Sequence, residues 1–349
     1  MKTYFHRIKQ ILPWLVAIGI FIYLFNKYPL NKVLISLSYV NLLPFIAFSL
    51  AYFFIIYFTD SLVMTYVFKR FAYPVKLKDI LLARGVTYLI MIVSYPASQV
   101  AFAYYLKRRY KIPILEALGI FMFILFIDLL WIVTLALGGS FFQEHIIAGV
   151  DLGHLVLVCA LILYLFAFLW IGFWGRWFDK ISTKLFTCDF IEKQRKRQIF
   201  NIFEKTRFFD YVRVGLMRIP IHFTIIISVY ILLLTFNTSI PFTKILGNIP
   251  LVFFIGTLPI TPGGLGTTNA AMVELLYKYI SGPIFEAGLI TPQDLIFAAT
   301  LLWMFTNYLL KGIIGITMLR FASKDLFKAT SENEEEKLEK ETTPININC

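Results

Sequence analysis

Six stretches of this chain, 9–26, 42–68, 114–139, 154–175, 219–238 and 294–319, are apolar over the length a helix needs to cross a bilayer. A crossing takes about 20 apolar residues. In hydrocarbon each backbone N–H and C=O must bond within its own segment, which leaves helices or closed barrels. Stretches this long without the alternation of a barrel strand point to helices. The composition agrees: 59% of residues are hydrophobic and 15% charged, against about 25% charged in soluble domains. So few charges cannot cover a water-facing surface. A soluble cytoplasmic enzyme, a disordered chain and a secreted disulfide scaffold are thereby excluded. Cys159, Cys188 and Cys349 match no zinc spacing and imply no disulfide framework. The expected fold class is all-α, a polytopic membrane protein.

Two further apolar stretches are interrupted. Segment 79–106 breaks at Ser94-Tyr95-Pro96-Ala97-Ser98-Gln99, and 243–281 breaks at Leu258-Pro259-Ile260-Thr261-Pro262-Gly263-Gly264-Leu265-Gly266. Proline removes a backbone donor, and glycine permits sharp reversal. The net charge of +12 is distributed as a topology signal. Lys2, Arg7 and Lys9 precede the first span, which reads as an uncleaved signal anchor. Lys69, Arg70, Lys76 and Lys78 precede the first broken segment, and Lys107, Arg108, Arg109 and Lys111 follow it. The segments 140–153 and 282–293 carry acidic residues and no Lys or Arg. Basic flanks on both sides of 79–106 fit a re-entrant hairpin better than a single tilted helix with a proline kink. By the same logic 243–281 enters and leaves from outside. Six full spans and two re-entrant hairpins result, with both termini cytoplasmic in a cell membrane. Units of span, span, hairpin, span then run over 9–139 and 154–319 as an inverted repeat, a signature of secondary transporters. Residues 1–321 form one transmembrane domain with a basic cytoplasmic loop at 176–218. Ile199, Ile202, Phe203, Phe209, Val212 and Leu216 fall on one face of a possible surface helix there, or the loop serves topology alone. The acidic tail 322–349 reads as disordered.

Ionisable groups at membrane depth cost at least about 2.5–3.5 kcal/mol each, so each needs a partner or a role. Asp60, Arg84, Asp128 and Glu274 are such groups. Arg84 with Asp128 or Asp60 is the expected buried pair, as a headgroup site or as a packing device. Glu274 and Lys278 have the spacing of an ordinary helix-surface pair. Pro96, Ser98 and Gln99 at the first break, and Asn269 after the second, are candidates to face a cavity. The turn containing Pro259, Pro262, Gly263, Gly264 and Gly266, followed by Thr267, offers backbone N–H groups at a helix start where a phosphate could bind. Tight reversal alone is the other reading. Glu144, His145, Asp151 and His154 cluster in one external loop but match no metal motif. No catalytic motif, nucleotide loop, cofactor site or nucleic-acid signature is present, and the partners expected are membrane lipids.

The run Leu258 to Asn269 resembles the hallmark of the flippase-like integral membrane family, the transmembrane region of lysylphosphatidylglycerol synthetases and its stand-alone relatives. Tyr95 to Gln99, Tyr104 to Arg109 and Phe121 to Leu130 are similar to its other block. The resemblance covers about residues 9–320. It departs at Asn269, where relatives carry glutamate, at Ala97-Ser98-Gln99, where they carry a Gly-Arg-x-Gly-Glu-like run, and at Leu125, where they carry arginine. The synthetases' soluble aminoacyl-transfer domain has no counterpart here. The resemblance implies a lipid translocase or lipid-binding transporter, not an enzyme, that takes a phospholipid or lipid-linked headgroup, anionic by expectation, between the two hairpins. The alternatives are an accessory membrane subunit, in a homo-oligomer or beside a membrane enzyme, and an intramembrane transferase acting on a lipid-linked substrate.

Overall fold

A computed structural model describes residues 2–71, 73–141, 146–147, 150–175, 197–258, 260–261 and 264–342. The chain is an all-α polytopic membrane protein. Its helices are α1 (Lys2–Lys27), α2 (Leu30–Ser38), α3 (Leu42–Arg70), α4 (Leu77–Met91), α5 (Tyr95–Tyr110) and α6 (Ile114–Ser140), followed by α7 (Leu152–Trp174), α8 (Asn201–Lys205), α9 (Phe208–Leu234), α10 (Phe242–Thr257), α11 (Thr267–Leu276) and α12 (Pro292–Thr342). Ile146–Ile147 pairs antiparallel with Val150–Asp151 in a small ribbon ahead of α7. Among the described residues, α3, α6, α7, α9 and α12 as far as Ala322 are long and apolar enough to cross a membrane. With the short α2 and α8 set aside, the order of two long helices, two shorter ones and one long helix occurs twice: α1, α3, α4, α5, α6, then α7, α9, α10, α11, α12.

Capping chemistry sets several boundaries. The hydroxyl of Ser94 accepts from the N–H of Ala97 at 3.4 Å, and Pro96 sits in the first turn of α5. There its missing N–H costs nothing. The helix therefore ends and restarts here. Thr291 and Asp294 form a reciprocal box ahead of α12: Asp294 accepts from the Thr291 N–H at 2.9 Å, and the Thr291 hydroxyl accepts from the Asp294 N–H at 3.2 Å. Asp210 accepts from the Arg207 N–H at 2.9 Å and starts α9 eleven residues before the apolar window at 219. The basic loop consequently ends much earlier than expected. Its proposed surface helix is broken instead: Ile202 and Phe203 are buried in the short α8, while Phe209 and Leu216 are exposed on α9. Backbone helix also continues through Thr342. Its Glu- and Lys-rich sequence has strong helix formers.

The chain divides into two compact units, Met1–Asp60 with Phe123–Cys188 and Thr206–Leu310, and Ser61–Met122 with Asp189–Lys205 and Lys311–Cys349. In the first, α10 folds back against α11, and α9 packs on α10. Phe236, Leu232, Phe254, Phe297 and Ala136 belong to its buried core. Gly139 of α6 meets the backbone of Gly247 of α10, and a Cβ at Gly139 would lie 2.2 Å from the Gly247 carbonyl oxygen. Leu161, Ile162 and Leu165 of α7 are 60–64% exposed, an outward face suited to hydrocarbon. In the second unit, α4 folds back against α5. The Asp79 carboxylate accepts from the Tyr110 hydroxyl, which accepts from the Lys76 N–H at 2.9 Å, closing the base of this hairpin. Phe121 stacks between Phe102 and Phe68, with centroids 5.2 and 6.0 Å away.

Gly139→Ala forces the α6–α10 crossing apart and is expected to cost about 1–3 kcal/mol. Gly138→Ala, whose new methyl meets nothing within 4 Å, serves as the control. Thermal unfolding in detergent should separate the two; equal melting temperatures would remove the close crossing as a stabilising feature.

Candidate functional site

Three long helices of the first unit each bring charge to one point. Asp60 lies on α3, Asp128 in the middle of α6, and Arg218 and His222 on successive turns of α9. The Arg218 guanidinium grips Asp128 bidentately through one edge, Nε to Oδ1 at 2.7 Å and Nη2 to Oδ2 at 2.5 Å. Its Nη1 donates to Asp60 Oδ1 at 2.6 Å. His222 Nε2 is 3.2 Å from Asp128 Oδ1. Arg218, Asp60 and His222 are all more than nine-tenths buried. Bidentate guanidinium–carboxylate contact is among the strongest hydrogen-bonded pairings available. The i to i+4 spacing of Arg218 and His222 puts both on the face of α9 that meets α6. Trp131 supports that face, its indole donating to the Gly215 carbonyl at 2.9 Å.

A cavity of about 230 Å³ opens beside the cluster. Asp128, Arg218 and His222 form its polar end. Its walls are apolar and come from three helices: Leu125, Ile132 and Leu135 of α6, Ile225 of α9, and Pro250 and Phe253 of α10. Leu125 and Leu135 are separated by ten residues, about 15 Å along the helix. The shape suits an amphiphile, with a polar group at the ion cluster and a hydrocarbon chain along the wall.

The sequence-derived candidates distribute unevenly. Asp60 and Asp128 do meet a buried arginine, Arg218, a residue the sequence reading did not offer beside Arg84. Arg84 lies in the second unit, 7% exposed, its guanidinium 5.8 Å from the centre of the Tyr88 ring. Ser98 is buried and bonds to the Tyr95 carbonyl at 2.6 Å. Gln99 is 7% exposed, and neither amide atom has a hydrogen-bond partner among the described residues. Pro259, Pro262 and Gly263 lie outside the described residues, as do Glu144 and His145. Gly264 and Gly266 have φ of 74° and 81°, which only glycine adopts without strain. Within the turn the Gly264 N–H bonds to the Thr261 carbonyl at 3.3 Å, and the Thr267 hydroxyl to the Gly264 carbonyl at 3.0 Å. Asn269 is buried; it accepts from the Gly266 N–H at 3.3 Å and donates to the Thr300 hydroxyl at 2.9 Å, tying α11 to α12. Glu274 pairs with Lys27 of α1 at 3.1 Å rather than with Lys278, because α1 packs on α11. Asp151 caps α7 and contacts His154 at 2.5 Å. That hydrogen bond holds the Asp151 carboxyl below the usual range. No group of three metal-ligating side chains occurs among the described residues.

Arg218 and His222 escaped sequence reading. Arg218 sits one residue before the apolar window and looked like the end of a basic loop. The available signal was the spacing Arg218, Ile221, His222, Ile225, Ile226, a helical stripe that runs across the assumed boundary.

A family model described as the lysylphosphatidylglycerol synthase TM region matches residues 10–315. No curated protein and no solved structure matches the chain.

Arg218→Gln removes the bidentate partner of the mid-helix Asp128 carboxylate and is expected to destabilise the protein by about 3–5 kcal/mol. The triple change Arg218→Gln, Asp128→Asn, Asp60→Asn removes the stranded charge and should recover part of that loss. Unfolding in nanodiscs checks both, and a triple variant less stable than the single would contradict the charge argument.

Proposed function

We propose that this chain, which belongs to the lysylphosphatidylglycerol synthase transmembrane-region family, binds membrane phospholipid in the cavity beside Arg218 and moves it between leaflets. The cavity's amphiphilic lining carries this reading: one ion-paired end and apolar walls within a membrane bundle. Arg218 has five N–H donors, and three engage carboxylates. The other two are the donors for a phosphate.

The membrane placement belongs to the same proposal. The arms α4, α5, α10 and α11 have 15, 16, 16 and 10 residues. At 1.5 Å per residue each is about 15–24 Å long, shorter than the roughly 30 Å hydrocarbon core. None crosses alone, which supports two re-entrant hairpins. Basic residues at both feet of the α4–α5 hairpin, Lys76 with Lys78 and Lys107 with Arg108, favour a cytoplasmic entry. Both termini are then cytoplasmic in a cell membrane. The chain acts as a carrier of lipid and leaves its covalent structure unchanged.

Liposomes holding fluorescent zwitterionic or anionic phospholipids and the purified chain test the function. Lipid should cross faster than in empty vesicles, with unaltered mass. Ile225→Trp fills the apolar wall without touching the ion cluster, and should slow movement about tenfold, a change of about 1.4 kcal/mol. Rates equal to empty vesicles for every headgroup would refute translocation. Separately, Lys78→Cys and Lys107→Cys should react with an impermeant thiol reagent from the same side; labelling from opposite sides would refute the re-entrant hairpin.

A further inference from the structure

In the second unit the exposed cations gather where three helix ends meet. α3 ends at Arg70, α4 begins at Leu77 and α5 ends at Tyr110. The Tyr110 hydroxyl binds the Lys76 N–H at 2.9 Å and the Asp79 carboxylate, which holds the end of α5 against the start of α4. The link from α3 is fixed by bonds from the Tyr73 N–H to the Phe68 carbonyl at 3.0 Å and from the Val75 N–H to the Tyr73 carbonyl at 2.8 Å. Lys69, Lys76, Lys78, Lys107 and Arg108 are exposed around this junction. Arg108 turns back on Tyr104, Nε donating to the hydroxyl at 3.1 Å. Lys69, Lys78 and Lys107 form no ion pair among the described residues. The carboxylates described in this unit do not neutralise them. Asp79 is 1% exposed and accepts from Tyr110, Glu116 accepts from Asn201 at 3.0 Å, and Glu204 belongs to α8.

Helix electrostatics accounts for some of these cations and not for others. Lys69, Lys107 and Arg108 stand in last turns, where the negative end of the helix dipole favours them. Lys76 is the N-cap of α4 and Lys78 lies in its first turn, at the positive end of the dipole, where a cation is disfavoured. A topology signal counts charges near the ends of spans and does not require them side by side. Attraction to an anionic membrane surface does use such a cluster, each Lys or Arg near the surface raising affinity about fivefold.

We propose that this basic junction is a docking surface for anionic lipid headgroups of the surrounding bilayer. None of its residues lines the cavity beside Arg218. It stands at the end of the apolar α3, where headgroups meet the protein. Its unpaired lysines come without a free carboxylate for the ammonium of a zwitterionic lipid, so the occupant is a lipid of net negative charge. A headgroup phosphate there also relieves the repulsion between Lys78 and the dipole of α4. The surface holds lipid whether or not the chain moves any.

Electron paramagnetic resonance of nitroxide-labelled lipids tests this, with the full chain in phosphatidylcholine nanodiscs. Labelled phosphatidylserine should be held about fivefold more strongly than labelled phosphatidylcholine, the gain from one surface cation. The excess should fade in about 1 M salt, where charges are screened beyond about 3 Å. Lys76→Gln with Lys78→Gln should remove most of it, and Lys76→Arg with Lys78→Arg should keep it. If the Gln pair does not fold, Lys107→Gln supplies the same comparison. Lys244→Gln with Lys278→Gln takes two cations from the first unit and should leave the excess intact. Equal losses in the two Gln pairs would mean that net charge alone acts, and would overturn the site. Ile225→Trp fills the cavity and should also leave the excess intact; its loss there would put the bound lipid in the cavity and refute the proposal. Equal retention of both lipids by the parent chain would refute it too, leaving the junction to another anion such as the Glu-rich tail.

Discussion

The contact on which the first unit depends is the grip of Arg218 on two carboxylates from two other helices. Removing charges from water costs several kcal/mol per ion even after relaxation. Only close, well-directed partners offset that in an apolar interior. The bidentate contact with Asp128 and the 2.6 Å contact with Asp60 meet this requirement. They also set the registers of α3, α6 and α9, because a slide of one turn would separate the groups by about 5.4 Å. The cavity walls follow from the same registers. Leu125, Ile132 and Leu135 share a face of α6 with Asp128, and Ile225 shares one of α9 with Arg218 and His222.

The long helices were legible in the sequence because hydropathy and bilayer thickness act on segments of similar length. The breaks at Ser94-Pro96 and at Gly264 to Gly266 were legible because proline and glycine act locally. Pairings were harder. Arg84 had the depth expected of a partner for Asp128, yet depth says nothing about which face of which helix meets which. The true partner, Arg218, was hidden by a boundary: the Arg207–Asp210 cap begins α9, and caps are set by hydrogen bonds rather than by apolarity. Glu274 illustrates the same limit. Its sequence neighbour Lys278 was a sound local choice, but packing of α1 on α11 offered Lys27 instead.

The departures from the family pattern acquire a physical setting. Leu125, where relatives carry arginine, lies in the cavity wall, and the cation at Asp128 comes from a different helix. Asn269, where they carry glutamate, is neutral and fully engaged with Gly266 and Thr300.

Pro220 stands between Arg218 and His222 within α9. Having no amide hydrogen, it leaves that turn of the helix one rung short. The axis therefore bends most easily at the level where the ionised groups sit.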